Sequence, residues 1–140
     1  MVSRVLLDTG PLVALLAADD LWHAPCAGQL HSLAPPLLTT WPVLTEAAWL
    51  LRTHPQAIQQ MMLWVTTGTI KLPPIGDEAS PWIAAFFRKY GRIQTQLADA
   101  SLVYLAERDD LDTVFTLDRR DFSLYRFGRN RRFHLLPQWG

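Results

Sequence analysis

Val5-Leu6-Leu7-Asp8-Thr9-Gly10-Pro11-Leu12-Val13-Ala14-Leu15-Leu16 begins with three consecutive apolar residues, turns at Asp-Thr-Gly-Pro, and resumes with leucine and valine at helical spacing. A short continuous apolar run bounded by turn residues predicts a strand buried on both faces. Proline suits a first helical turn and Thr9 can cap, so the segment reads as strand, tight turn and helix, with Asp8 at the carboxyl end of the strand. A fully buried strand that feeds a helix at once belongs to a parallel sheet covered by helices.

The same alternation continues outward from this segment. Residues 23–33 predict a second helix, ended by Ala34-Pro35-Pro36, and residues 37–40 a second strand. From Trp41 a helix carries Val43, Leu44, Ala47, Leu50 and Leu51 as an apolar stripe, with Pro42 early and Glu46 one turn in. Pro55 opens another helix through Val65, and residues 69–72 form a third strand before Pro73-Pro74. Pro81 starts a helix that ends at Tyr90-Gly91; the next runs from about Leu97 to Arg108 with Asp99 at its start. Residues 113–116 and 133–136 supply the remaining strands. The expectation is an α/β single domain over residues 1–140, with a central parallel sheet of four to five strands and helices on both faces.

Composition narrows the function classes. With 49% hydrophobic and 19% charged residues, the 140-residue chain can bury a core without a staple. Cys26 is the only cysteine, which excludes an intramolecular disulfide and a multi-thiolate zinc cluster and favours a cytoplasmic setting. No apolar run reaches the roughly 18 residues of a membrane span, and Asp8 interrupts the apolar N-terminus. Thirteen basic residues balance thirteen acids, so overall charge names no partner. The distribution is uneven: Arg119, Arg120, Arg126, Arg129, Arg131 and Arg132 fall within 14 residues that hold one acid, Asp121.

Ligands of open parallel sheets bind beyond the carboxyl ends of the strands. Asp8 and Asp118 follow strands there, and Glu46 and Asp99 sit in first turns of helices that can point at the same crevice. Taken singly, each acid reads as a cap or turn residue; Glu46, however, lies beside a stripe that should face the core, where a solvated charge is out of place. Several carboxylates without a cysteine or histidine at ligand spacing form a hard-cation pattern, suited to Mg²⁺ or Mn²⁺. In such sites metals polarise phosphoryl oxygens, lower the pKa of bound water and steady the leaving oxygen, so phosphodiester hydrolysis follows. Residues 118 and 121 are three apart and could share a helical face. Asp118 is favoured because it is nearer the strand end, with Asp121 as a turn cap or an outer ligand. His23, His31, His54 and His134 have no i, i+4 pairing and receive no chemistry.

Residues 6–16, the stretch Leu97-Ala98-Asp99-Ala100-Ser101-Leu102-Val103, and above all Phe115-Thr116-Leu117-Asp118-Arg119-Arg120-Asp121-Phe122 resemble the N-terminal, third and fourth acidic motifs of the PIN-domain family, especially VapC-type toxin ribonucleases. Thr45-Glu46-Ala47 lies in the expected interval, so the resemblance spans essentially the whole chain. It implies a metal-dependent endoribonuclease that is the toxin of a type II toxin–antitoxin system. It further implies that Asp8, Glu46, Asp99 and Asp118 bind Mg²⁺ or Mn²⁺, with Asp121 as a further ligand. Thr9 matches a hydroxyl residue that lines the family's pocket, and Thr116, Arg119 and Arg120 are expected on the substrate side. Related sequences often carry another acid where this chain has Gln96, which puts a second metal in question. The implied partners are an RNA substrate, a small VapB-like antitoxin and a second copy of the chain; the choice of RNA over DNA rests on the resemblance. Trp41, Trp49, Trp64 and Trp82 are candidates for core or interface.

Competing readings are a non-catalytic RNA-binding module of the same fold and a phosphoacceptor signalling domain. The second requires a late lysine, and the chain has only Lys71 and Lys89. Covalent catalysis is weaker still, because Cys26 lacks a histidine partner and no Gly-x-Ser-x-Gly elbow occurs.

Overall fold

In the computed structural model, which describes residues 1–138, the apolar runs pair as one parallel sheet. Its strands are β1 (Val5–Leu7), β2 (Leu37–Leu38), β3 (Ile70–Lys71), β4 (Thr113–Phe115) and β5 (His134–Leu136), in the order β3-β2-β1-β4-β5. Every neighbouring pair runs parallel. The chain moves outward from β1 to β3 and then crosses back to β4, so the switch in strand order falls between β1 and β4. A crevice opens at such a point beyond the strand ends.

Around the sheet pack α1 (Thr9–Leu16), α2 (His23–Leu30), α3 (Trp41–Leu50), α4 (Pro55–Thr66), α5 (Ser80–Tyr90), α6 (Leu97–Asp109) and α7 (Arg119–Leu124). The central strands are sealed: Val5, Leu6, Leu7, Val114 and Phe115 have no exposed surface. Helix α6 is buried at Ala98 and at every residue from Ala100 to Ala106. Its alanines let neighbouring elements approach on several sides, which is why its sequence shows only a weak polar face. No helix among the described residues is long and apolar enough to cross a membrane.

The elements match the anticipated α/β architecture, and the differences lie at their ends. The second helix stops at Leu30 rather than residue 33, because the backbone tightens into i→i+3 turns at Ser32 and Leu33. The second strand loses residues 39 and 40 to other partners. Thr39 Oγ1 donates to the Leu7 carbonyl at 2.7 Å, and Thr40 becomes the N-cap of α3, accepting from the Val43 N–H. Thr9 does not cap α1: Asp8 holds the cap position and Thr9 is the first helical residue. Helix α7, six residues long, has no periodic signature in the sequence and is organised by the Asp118 cap. Trp64 and Trp82 pack against the core, whereas Trp41 and Trp49 stay 60% and 64% exposed.

Candidate metal centre

Strand register brings the first two site residues together. Leu7 sits opposite Phe115, so Asp8 and Thr116 leave the sheet side by side. The Asp8 N–H donates to the Phe115 carbonyl at 2.9 Å, and Thr116 Oγ1 donates to Asp8 Oδ2 at 2.7 Å. The same hydroxyl accepts from the Asp118 N–H at 2.9 Å. One buried threonine therefore joins the acid after β1 to the acid after β4. Asp8 makes no capping bond to α1; its carboxylate is held sideways over the crevice. Burial pushes its pKa up to about 6, against the pull of Thr116 and the Thr9 N–H, while Glu46 and Asp118 add like-charge repulsion.

The opposite wall comes from α3 and α6. Thr40, the cap of α3, hydrogen-bonds Ser101 of α6 at 2.7 Å in the interior, which locks the start of one helix to the first turns of the other. Glu46 and Asp99 project from these helices into the crevice. Burial raises the Glu46 pKa, opposed by the nearby Thr9 hydroxyl. Asp99 rises to about 7, again mainly through burial; the Tyr125 hydroxyl holds it down, and Asp8, Asp118 and Glu46 push it up. The positive end of α6 favours the ionised form of Asp99 in its first turn.

The fourth motif resolves differently from the expectation. Asp118, not Asp121, is the cap: its Oδ1 accepts the Asp121 N–H at 3.1 Å, which starts α7. That turn swings Asp121 back toward the cavity. One carboxylate oxygen each from Asp99, Asp118 and Asp121 lies within 4.8 Å of the others. Burial and the adjacent Asp118 raise the Asp121 pKa. Asp8 and Glu46 complete the rim of the same cavity, about 480 Å³, whose other lining residues are Thr9, Gly10, Leu50, Gln94, Gln96 and Leu117.

Five carboxylates thus face one cavity whose lining contains no lysine, arginine or histidine. The donor set is all oxygen, as a hard divalent cation requires. Thr9 adds an independent sign of fit. Its hydroxyl lines the cavity near Glu46 and, among the described residues, is the buried side-chain polar atom that makes no hydrogen bond of ordinary length. A buried orphan of this kind is costly unless something outside the protein completes it. The residues therefore fit a hydrated divalent ion.

Other expected site residues fall elsewhere. Thr116 is fully buried and cannot touch a substrate; it positions Asp8 and Asp118. Arg119 is partly buried, with its guanidinium donating to the Pro137 carbonyl at 2.6 Å. Arg120 is exposed beside Asp121, whose negative charge it favours. Gly10 approaches the fourth motif so closely that a Cβ there would come 3.2 Å from Leu117 Cβ. Sequence reasoning missed Tyr125, whose hydroxyl donates to Asp99 Oδ2 at 2.6 Å, and the cavity residues Gln94, Leu50 and Leu117. A tyrosine just past a short helix, 26 positions from the acid it meets, carries no local signal.

No protein-family model matches the chain. Among known proteins it is similar to Ribonuclease VapC26 of Mycobacterium tuberculosis, 29% identical over 135 residues, covering 95% of this chain and 100% of that protein. Its fold matches the crystal structure of Mycobacterium tuberculosis VapC20, a sarcin-ricin loop cleaving toxin. The TM-score is 0.76 at 15% identity, covering 84% of this chain and 92% of that one.

Proposed function

We propose that this chain, a PIN-domain protein of the VapC type, is a divalent-metal-dependent endoribonuclease and the toxin of a toxin–antitoxin pair. Residues 1–140 form its single nuclease domain, working in the cytoplasm. The observation that carries this reading is the cavity at the β1–β4 switch point, where five carboxylates converge without an internal cation. The similarity to a ribonuclease along nearly the whole chain supports RNA as the substrate.

Asp8, Glu46, Asp99, Asp118 and Asp121 would hold Mg²⁺ or Mn²⁺. When bound, the ion supplies Lewis-acid stabilisation of the phosphoryl charge and an acidified water. The chain's own residues set the conditions. Thr116 fixes the Asp8 carboxylate, and the α3–α6 contact through Thr40 and Ser101 sets the separation of Glu46 from Asp99. With Asp99 near 7 and Asp8 near 6, part of the cluster holds protons near neutrality and releases them when a cation loads. The Thr9 hydroxyl, near Glu46, is placed to donate to a phosphoryl oxygen or a water, and Leu50 and Leu117 add apolar surface to the lining. Arg120 stands exposed close enough to Asp121 to act on its charge, where a phosphate of the RNA can reach it.

The exposed Trp41 and Trp49 on α3 support partners that cover this surface, a VapB-like antitoxin and a second copy of the chain. The test is cleavage of a mixed-sequence RNA with and without Mn²⁺, with Asp8→Asn run in parallel. Metal-dependent cutting that the variant loses is the expected result. RNA bound but never cut would instead make the chain a binding module.

A further inference from the structure

Each of three acids in the cavity has one oxygen engaged by a neutral donor. Thr116 donates to Asp8, the Asp121 N–H to Asp118, and Tyr125 to Asp99. The first two donors come from the fourth motif itself. Tyr125 comes from outside every acidic motif, and its surroundings are built for one orientation.

Tyr125 has no exposed surface. Its ring is held by Phe86, Tyr90 and Phe122, each with its centroid 5.1 Å away, at interplanar angles of 52°, 80° and 85°. The phenol oxygen lies 2.6 Å from Asp99 Oδ2 and 2.6 Å from Thr95 Oγ1. A phenol has one proton and an ionised carboxylate only accepts, so the direction of the chain is settled by counting. Tyr125 donates to Asp99, and Thr95 donates to Tyr125. The two residues flank Asp99 in space: Thr95 precedes α6 and Tyr125 follows α7. Without them the Asp99 side chain would keep rotamer freedom at a partly open cavity edge, and its ligating oxygen could swing away from Asp118 and Asp121.

We propose that Tyr125, backed by Thr95, is the positioning residue that sets Asp99 as a cation ligand. By engaging Oδ2 from behind, it presents Oδ1 to the cavity and makes Asp99 a one-oxygen ligand of fixed direction. Tyr125 touches neither substrate nor cation; it acts through Asp99. This assignment rests on reading the cavity as a divalent-metal site.

The test is calorimetric titration of Mn²⁺ into the purified, chelator-stripped protein and its Tyr125→Phe variant. Phenylalanine keeps the ring contacts and removes only the hydroxyl. Donors placed behind metal ligands change affinity by roughly 10- to 100-fold, so Mn²⁺ binding should weaken about tenfold. The chelated variant should melt within a few degrees of the parent. In RNA cleavage at fixed Mn²⁺, kcat should fall and the KM for RNA should hold, a split that general loosening of the fold does not produce. Thr95→Val, at the outer end of the chain, should weaken Mn²⁺ about threefold. Added to Tyr125→Phe it should cost nothing further, because both act along one path. Mn²⁺ affinity unchanged in both single variants overturns the assignment while leaving the metal site standing. A parent protein that takes up no Mn²⁺ removes the metal site, and this assignment with it.

Discussion

Two charged regions of the molecule are resolved in opposite ways. In the arginine-rich segment from residue 119 to 132, three of the six arginines find acceptors within the protein. Arg119 donates to the Pro137 carbonyl at 2.6 Å, Arg126 to the Ser123 and Tyr125 carbonyls at 2.8 and 2.9 Å, and Arg131 pairs with Asp110 and Asp112. The acidic cavity receives only neutral donors, from Thr116, Tyr125 and the Asp121 N–H. Hydrogen bonds orient these carboxylates without cancelling their charge. A fold that gives half of these arginines internal acceptors and turns none of those three toward the five acids facing one another has retained the repulsion where an external cation can relieve it.

The sharpest way to break this contrast is Asp8→Asn. Removing a buried acid of the cluster should lower Mn²⁺-dependent RNA cleavage on the order of 10³-fold, the several kcal/mol a catalytic metal supplies. The chelated protein should be as stable as the parent or more so, since one repelling charge is gone. Full activity in the variant would remove Asp8 from the site. Next in size is the effect of the cation on melting. At a concentration about 100 times Kd it should stabilise the fold by about 2.7 kcal/mol, on the order of 8 °C for a chain of this length. A melting temperature indifferent to millimolar Mg²⁺ or Mn²⁺ would mean that the repulsion is not relieved by metal.

A smaller effect follows from pH. Asp8 and Asp99 titrate near 6 and 7 in the folded protein against an ordinary value of 3.8, so between about pH 4 and pH 7 the native state holds protons that the unfolded chain has released. Their contribution to the stability of the chelated protein is full below about pH 4 and is lost as pH rises through 6 and 7. Saturating Mn²⁺ competes with those protons, so its affinity should climb over the same window. Chelated stability that rises from pH 5 to pH 7.5 would contradict the placement of these acids. Smallest of all is Arg131→Ala. Its ion pairs are solvent-exposed, so the melting temperature should barely move and Mn²⁺ affinity should stay unchanged.

Three of the acids that face the cavity were legible because they sit at a boundary between elements, and a fourth because it breaks a pattern. Asp8 ends β1, Asp118 precedes α7, Asp99 opens α6, and Glu46 interrupts an apolar stripe. The roles of their neighbours were not legible. Thr116 was expected on the substrate side, yet the pairing of β1 with β4 turns its hydroxyl inward to Asp8. Asp121 was expected as a cap or an outer ligand. Because Asp118 itself closes the first turn of α7, Asp121 joins Asp99 and Asp118 in the tightest trio. Its carboxylate also offsets the missing acid at Gln96, which lines the same cavity.

What the sequence determined by itself is what local chemistry controls: strand against helix, the end at which each acid emerges, and a set of ligands made of oxygen alone. Hydrophobic periodicity and turn residues act over a few positions, so they can be read along the chain. Only the tertiary structure decided which donor holds which acid. Thr116 meets Asp8 across 108 positions and Tyr125 meets Asp99 across 26, distances over which a linear pattern carries no register. Those contacts are set by the parallel pairing of β1 with β4 and by the aromatic packing of α5 against α7. That packing is also why the carboxylates converge on one cavity instead of dispersing into solvent.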